Sequence, residues 1–147
     1  MNEPKQIIVV RKDLRNTKGE KVRTGKLCSQ IAHASLGAVL EYKHAINITD
    51  ILFQTEYGSS NQVIIKKYNN PLTKWLEGSF TKICVSVNSE QELLDIYNRA
   101  LENNINVKLI QDNGLTEFGG VKTYTCLALG PDYPEVLDPL TKHLPLL

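Results

Sequence analysis

The sequence predicts an α/β fold: one three-layer α/β/α domain over residues 1–147, with a mixed, mainly parallel four-stranded sheet and a β-hairpin insertion at 45–70. Three observations lead there. Short apolar runs rich in β-branched residues recur along the chain, as strands buried on both faces require. Stretches with apolar residues at helical spacing lie between them, so strand and helix alternate in the manner of a sheet covered on both sides. The 147 residues are enough for about one domain with a sizeable core.

Gln6 to Arg11 (Gln-Ile-Ile-Val-Val-Arg) reads as a central strand. A basic loop follows, then a helix from about Gly25 to Lys43. At about 100° per residue, Lys26, Gln30, His33 and Gly37 fall within roughly 40° of one another and form a narrow polar seam. Cys28, Ile31, Ala32, Ser35 and Val39 take the opposite side, so the helix is expected to be largely buried. Thr24 is its expected N-cap. Lys26 then stands at the positive end of the helix dipole, where a cation is disfavoured by about 0.3–1 kcal/mol. A lysine in that position calls for a functional reason.

Ile51–Thr55 and Gln62–Tyr68 look like strands around a turn at Tyr57-Gly58-Ser59-Ser60-Asn61, hence the hairpin. Asn69-Asn70-Pro71 breaks the chain. A short helix with Pro71 in its first turn would carry Leu72, Trp75 and Leu76 on one side and end near Gly78; Trp75 reads as a core anchor rather than a platform for a base. Thr81–Val87 is a strand. Ser89 and Glu92 form a capping box for a helix with Leu93, Leu94, Ile96, Tyr97, Ala100 and Leu101 at amphipathic spacing, ending at Glu102-Asn103-Asn104. Asn106–Gln111 is a strand stopped by the turn signal Asp112-Asn113-Gly114. Thr123–Leu129 is the last strand, closed by Gly130-Pro131, and 134–141 is a short helix containing Pro139. Strands joined by helices should run parallel, and ligands of open α/β sheets bind beyond the carboxyl ends of such strands. The basic loop, the start of the first helix and Asp112 are therefore expected at one edge of the sheet.

Composition excludes several classes. With 41% hydrophobic and 22% charged residues the chain is ordinary for a soluble domain. No apolar run approaches the roughly 18–20 residues that span a bilayer, and Met-Asn-Glu-Pro-Lys at the start lacks the pattern of a leader. Cys28, Cys84 and Cys126 have neither zinc-site spacing nor a disulfide framework; buried, reduced thiols of a cytoplasmic protein are expected. The net charge is only +1, yet Arg11, Lys12, Arg15, Lys18, Lys21, Arg23 and Lys26 crowd one short stretch against Asp13 and Glu20. That stretch is either a solvated loop or a docking surface for a polyanion.

Of the chemistries open to these residues, magnesium-nucleotide binding fails first. Gly19 to Leu27 looks like a phosphate loop, but five residues separate the glycines and Leu27 stands where a hydroxyl must hold Mg²⁺. A helix N-terminus beside Lys26 can still hold a lone phosphate. Ser29, Ser35, His33 and Asp112 supply the types for a nucleophilic triad, without the sharp glycine-flanked serine turn and with Ser35 opposite His33. Three separated histidines make a poor metal site. There remains a lysine–carboxylate site beside a basic surface. In it Asp112 would orient or deprotonate water, directly or through Thr116, and Lys26 would meet the developing charge. The alternative for Asp112 is that it only closes an Asx turn before Gly114.

Five blocks carry a resemblance: Val-Val-Arg-Lys-Asp-Leu (9–14), Gly-Lys-x-x-x-Gln-x-x-His-Ala (25–34), Leu-Ile-Gln-Asp-x-Gly-x-Thr (109–116), Leu-Gly-Pro (129–131) and Leu-x-x-Leu-Thr-Lys-His-Leu (137–144). In this order they are similar to the type 2 peptidyl-tRNA hydrolases. The resemblance implies a four-stranded mixed sheet between helices, and hydrolysis of the ester joining a peptide to the 3′ end of tRNA without metal or cofactor. It implies Lys26, Gln30, His33, Asp112 and Thr116 as active-site residues and Thr125 as a further threonine that meets tRNA, beside the basic Lys12, Arg15, Lys18, Lys21 and Arg23. Its partners are the tRNA acceptor end and, as an open option, a second copy of the chain; no membrane is expected. This chain departs from the pattern at Thr24, where the family has a second lysine, in the longer loop at 18–22, in the hairpin, and at 117–122. A non-catalytic RNA-binding or protein-interaction domain is the alternative reading, and a nucleotide-dependent enzyme a distant third.

Overall fold

The computed structural model describes residues 2–42, 53–57, 63–67 and 69–147. The elements are β1 (Lys5–Arg11), α1 (Thr24–Leu40), β2 (Phe53–Tyr57), β3 (Val63–Lys67), α2 (Pro71–Glu77), β4 (Lys82–Val87), α3 (Glu90–Glu102), β5 (Val107–Asp112), β6 (Thr123–Asp132) and α4 (Pro134–Thr141). β2 and β3 pair antiparallel from Phe53–Lys67 to Tyr57–Val63, which is the expected hairpin; residues 43–52, 58–62 and 68 lie outside the described residues.

The main sheet has the order β4-β1-β6-β5. β1 runs parallel to β4, and β6 runs antiparallel to both β1 and β5, with Leu127 opposite Val9 on one side and Leu109 on the other. Three of the four strands thus point one way, as the helical connections require, yet among the described residues the only parallel ladder is β1–β4. β6 enters antiparallel between β1 and β5, so the sheet is mixed. The outer edge of β4 is covered by the chain's last residues, where Ser86 N donates to Pro145 O and Leu147 N to Cys84 O.

Period-two alternation sorts the core. Ile7, Val9, Val85, Val87, Leu127 and Leu129 face Leu93, Ile96 and Ala100 of α3 and Leu137 and Leu140 of α4. Ile8, Val10, Cys126 and Ala128 face Ala34 and Ala38 of α1. Four small residues at that second contact let α1 lie close to the sheet. α2 joins this layer, its Leu72 and Trp75 clustered with Val39 and Tyr42. Trp75 is buried and donates from Nε1 to Thr81 O at 2.7 Å, a core anchor as expected. Among the described residues no helix is long and apolar enough to cross a membrane.

Five local expectations need correction. Thr24 is already helical and the N-cap is Arg23, with no capping bond from its own side chain; Glu117 holds this turn from across the chain. α1 is not largely buried. Its core-facing residues are Gln30, Ala34, Ala38 and Val39, while Cys28, Ala32 and Leu36 are exposed and line an apolar groove of about 500 Å³ beside Trp75 and Phe80 of the α2 side. The expected buried thiols reduce to one: Cys28 is exposed on this face, Cys84 of β4 is half-buried, and Cys126 is fully buried. β6 also does not stop at Leu129. It continues through Gly130-Pro131 to Asp132, which pairs with Lys5 beyond a register shift; at such an irregularity the missing proline N–H removes no ladder bond. The capping box of α3 is half local: Ser89 Oγ accepts from Glu92 N, but Glu92 reaches Asn88 N, one residue earlier than expected.

Candidate active site

The site gathers where β1 and β5 end and β6 begins. Lys26 projects from the first turn of α1, Gln30 stands one turn later, Asp112 is the last residue of β5, and Thr116 follows in the loop. Asp112 Oδ1 accepts from Lys26 Nζ at 2.6 Å and from Gln30 Nε2 at 3.2 Å, and Lys26 Nζ also donates to Thr116 Oγ1 at 3.0 Å. Asp112 Oδ2 accepts from Gly114 N at 2.8 Å. The turn-closing role and the ion pair therefore coexist, one on each oxygen. Gly114 has φ +80, and an added Cβ would stand 2.1 Å from Val121 O, so only glycine permits this turn.

Lys26 and Asp112 are 15% and 13% exposed, at the floor of the cleft, where charges interact more strongly than on an open surface. Burial pushes the Asp112 carboxyl up, but the bond from Lys26, the Gly114 amide, the Lys26 charge and the Gln30 amide outweigh it and hold the group below its usual 3.8. Asp112 is thus ionised at neutral pH. The dipole penalty anticipated for Lys26 is offset by this counter-charge.

Gln30 is buried, and its amide is oriented from behind: Thr125 Oγ1 donates to Gln30 Oε1 at 2.8 Å, leaving the amide nitrogen to face Asp112. Thr125 is 1% exposed. Its hydroxyl is spent on Gln30 rather than presented at the surface. His33 is exposed, lines the cleft two turns from Lys26, and its imidazole makes no hydrogen bond among the described residues. Gly37, the fourth member of the seam, lies under Lys108, whose Cγ would stand 2.9 Å from an added Cβ.

The cleft over these groups has a volume of about 530 Å³, with Arg23 and Glu117 on its wall. Glu117 Oε1 accepts from Arg23 Nε at 2.7 Å, and Oε2 from Arg23 N at 3.3 Å. The Arg23 hydrogen bond is the largest influence holding the Glu117 carboxyl below its usual range. Nothing in local spacing announces this pair, because the partners lie far apart in the chain; only the isolated acid following Thr116 hints at it.

The basic loop is folded. Arg15 bridges Lys21, and Asn16 Oδ1 accepts from the amides of Lys18 and Glu20. Leu14, Val22 and Phe118 pin its base to the loop that follows Thr116. Lys12, Arg15, Lys18, Lys21 and Arg23 are exposed. Arg11 leaves the basic set, since its guanidinium bonds to both oxygens of Asp13, to Glu90 and to Tyr124 O. Among the described residues no three His, Cys, Asp or Glu side chains come together as metal ligands.

A family model described as Peptidyl-tRNA hydrolase PTH2 matches residues 4–147. The chain is 36% identical over 143 residues to a peptidyl-tRNA hydrolase of Methanopyrus kandleri, covering 97% of each. It is 38% identical over 144 residues to that of Methanothermobacter thermautotrophicus, covering 97% of this chain and 99% of the relative. To that of Sulfurisphaera tokodaii it is 38% identical over 143 residues, covering 97% and 98%.

Proposed function

The chain belongs to the peptidyl-tRNA hydrolase PTH2 family, and from that premise we propose how its cleft cleaves the ester between a peptide and the 3′ end of a tRNA. The observation that carries the reading is the Lys26–Asp112–Thr116 cluster, a bonded cation, ionised carboxylate and hydroxyl together on the cleft floor.

Hydrolysis requires a water aimed at the carbonyl carbon and a donor for the oxyanion that forms there. Lys26 has three N–H donors; Asp112 and Thr116 take two, and the third meets the oxyanion. Asp112 is held below the usual carboxylate range and is a weak base at neutral pH. Its work is to fix Lys26 and, through the free lone pair on Oδ2, to orient the attacking water beside the Thr116 hydroxyl. As the water adds, the bond to the ribose 3′ oxygen breaks, and the proton the water gives up ends on that oxygen. Gln30 keeps Asp112 in place and His33 borders the entrance. We take residues 1–147 as one domain that carries every group named here. We place the reaction in the cytoplasm, where its substrate arises.

Replacing Thr125 with Val removes the donor that fixes the Gln30 amide at nearly constant volume. A lost hydrogen bond is worth about 1 kcal/mol, so kcat should fall about five- to tenfold while far-UV circular dichroism is unchanged.

The direct test is release of the peptide from an N-blocked aminoacyl-tRNA by the purified chain; a chain that binds tRNA but releases nothing is a binding module instead. The basic loop adds a second readout. tRNA affinity should fall steeply with salt, and neutralising Lys18 and Lys21 together (K18Q/K21Q) should reduce the slope of log affinity against log salt by about 2. An unchanged slope would remove the loop from the interface.

A further inference from the structure

We infer that Glu117 is a positioning residue: it aims the Arg23 guanidinium as a fork for a backbone phosphate at the 3′ end of the bound RNA. The inference rests on the hydrolase reading above and names which group of the cleft grips the substrate beside the ester.

Glu117 and Arg23 are unequal partners. The Glu117 side chain is 4% exposed and that of Arg23 79%. A carboxylate withdrawn from water needs a close cation, and here one carboxylate holds one residue at two points, Nε and the backbone N–H. The guanidinium carries five N–H groups in a fixed plane. Among the described residues only Nε–H has an acceptor; the four hydrogens on the terminal nitrogens have none, and the exposed side chain lines the cleft. A planar fork anchored along one edge loses less rotamer freedom on binding than a loose surface arginine, and its free edge matches two oxygens of a phosphate.

Position favours the same ligand. Arg23 precedes Lys26 by three residues at the start of α1, and both line the cleft with Asp112 and Thr116. With the ester over Lys26, the terminal nucleotide's own phosphate falls within reach of Arg23. The carboxylate also holds the Arg23 N–H at the start of α1, but its own loop is tied down without it. Thr17 N donates to Glu117 O at 3.2 Å, and Phe118 packs between Leu14 and Val22.

The test compares the parent chain with Arg23→Ala, Glu117→Ala, Glu117→Gln and the double alanine variant, measuring kcat and KM for peptide release from an N-blocked aminoacyl-tRNA at several salt concentrations. Each alanine change should raise KM at least fivefold with kcat held within about twofold, and should reduce the salt slope by about 1. The double variant should be no worse than Arg23→Ala alone, and Glu117→Gln, which keeps an acceptor for Nε, should recover part of the KM. A fall in kcat for Glu117→Ala, or effects that add in full, would mean that Glu117 holds the catalytic loop and would overturn the inference. Thermal melts identify a variant that fails to fold, and Glu117→Gln then takes its place in the cycle. If the parent releases no peptide, the hydrolase reading fails. Dissociation constants for deacylated tRNA across the same variants still decide whether Glu117 acts through Arg23.

Discussion

Replacing Lys26 with alanine should lower kcat about 10²–10³-fold while changing KM little. Loss of one preorganised oxyanion donor costs about 2.7–4 kcal/mol in the transition state. A lysine that only attracted RNA would weaken binding as one lost phosphate contact among several, without touching the chemical step. The two roles therefore separate cleanly in single-turnover kinetics at saturating enzyme. The fold should survive the change. Asp112 keeps its bonds from Gln30 Nε2 and Gly114 N, so no carboxylate is left without donors, and a melting curve should show a shift of a few degrees at most. A kcat near that of the parent would remove Lys26 from the chemistry.

Asp112→Asn should be as damaging for a different reason, with kcat falling at least about 10²-fold, within the usual range for a positioned catalytic carboxylate. Three donors converge on Asp112. An asparagine there offers one oxygen and one NH₂ group, so at least one donor must face another donor. The change also has a pH signature. The Asp112 carboxyl is lowered in the folded chain, so the folded state binds its proton less readily than the unfolded state. Its contribution to stability is fully present above the ordinary value of 3.8 and is lost as pH falls through the lowered folded value. The melting-temperature difference between parent and Asp112→Asn should be constant from about pH 5 to 8 and shrink below 3.8. A difference that instead shrank between pH 5 and 7 would mean a raised carboxyl, the mark of a general base.

Much of this was legible in the sequence because it is written in local patterns. The apolar runs of β1 and β4, the amphipathic spacing of α3, Pro71 at the head of α2 and the Asp-Asn-Gly turn after β5 each act over a few residues, and each formed as expected. The seam of α1 likewise located Lys26 and Gln30, and the parallel sense of β1 and β5 brought Asp112 to the same edge. Long-range packing was not legible. That β6 would enter between β1 and β5, and so leave a single parallel ladder, depends on competition among strands of similar character. The exposure of Cys28, Ala32 and Leu36 depends on which side of a nearly apolar helix the sheet covers. Two assignments changed for a related reason. Thr24 was displaced as cap because a remote carboxylate, Glu117, holds Arg23. Thr125, attractive as a contact for RNA, lies behind Gln30, which only the meeting of α1 with β6 reveals.

Gln30 has a wider consequence. Its side chain lies between Asp112 and Thr125, and its backbone carbonyl accepts from the thiol of Cys126 at 3.3 Å. Burial pushes that thiol up to about 12, so it stays a neutral donor across the working range. One residue of α1 is thereby clamped to an interior strand of the sheet and to the proposed reacting centre at once. Proteins commonly open in parts, with mobile loops yielding before the core. Here the floor of the cleft belongs to the last part to yield, so on heating the catalytic geometry should persist until the whole chain melts.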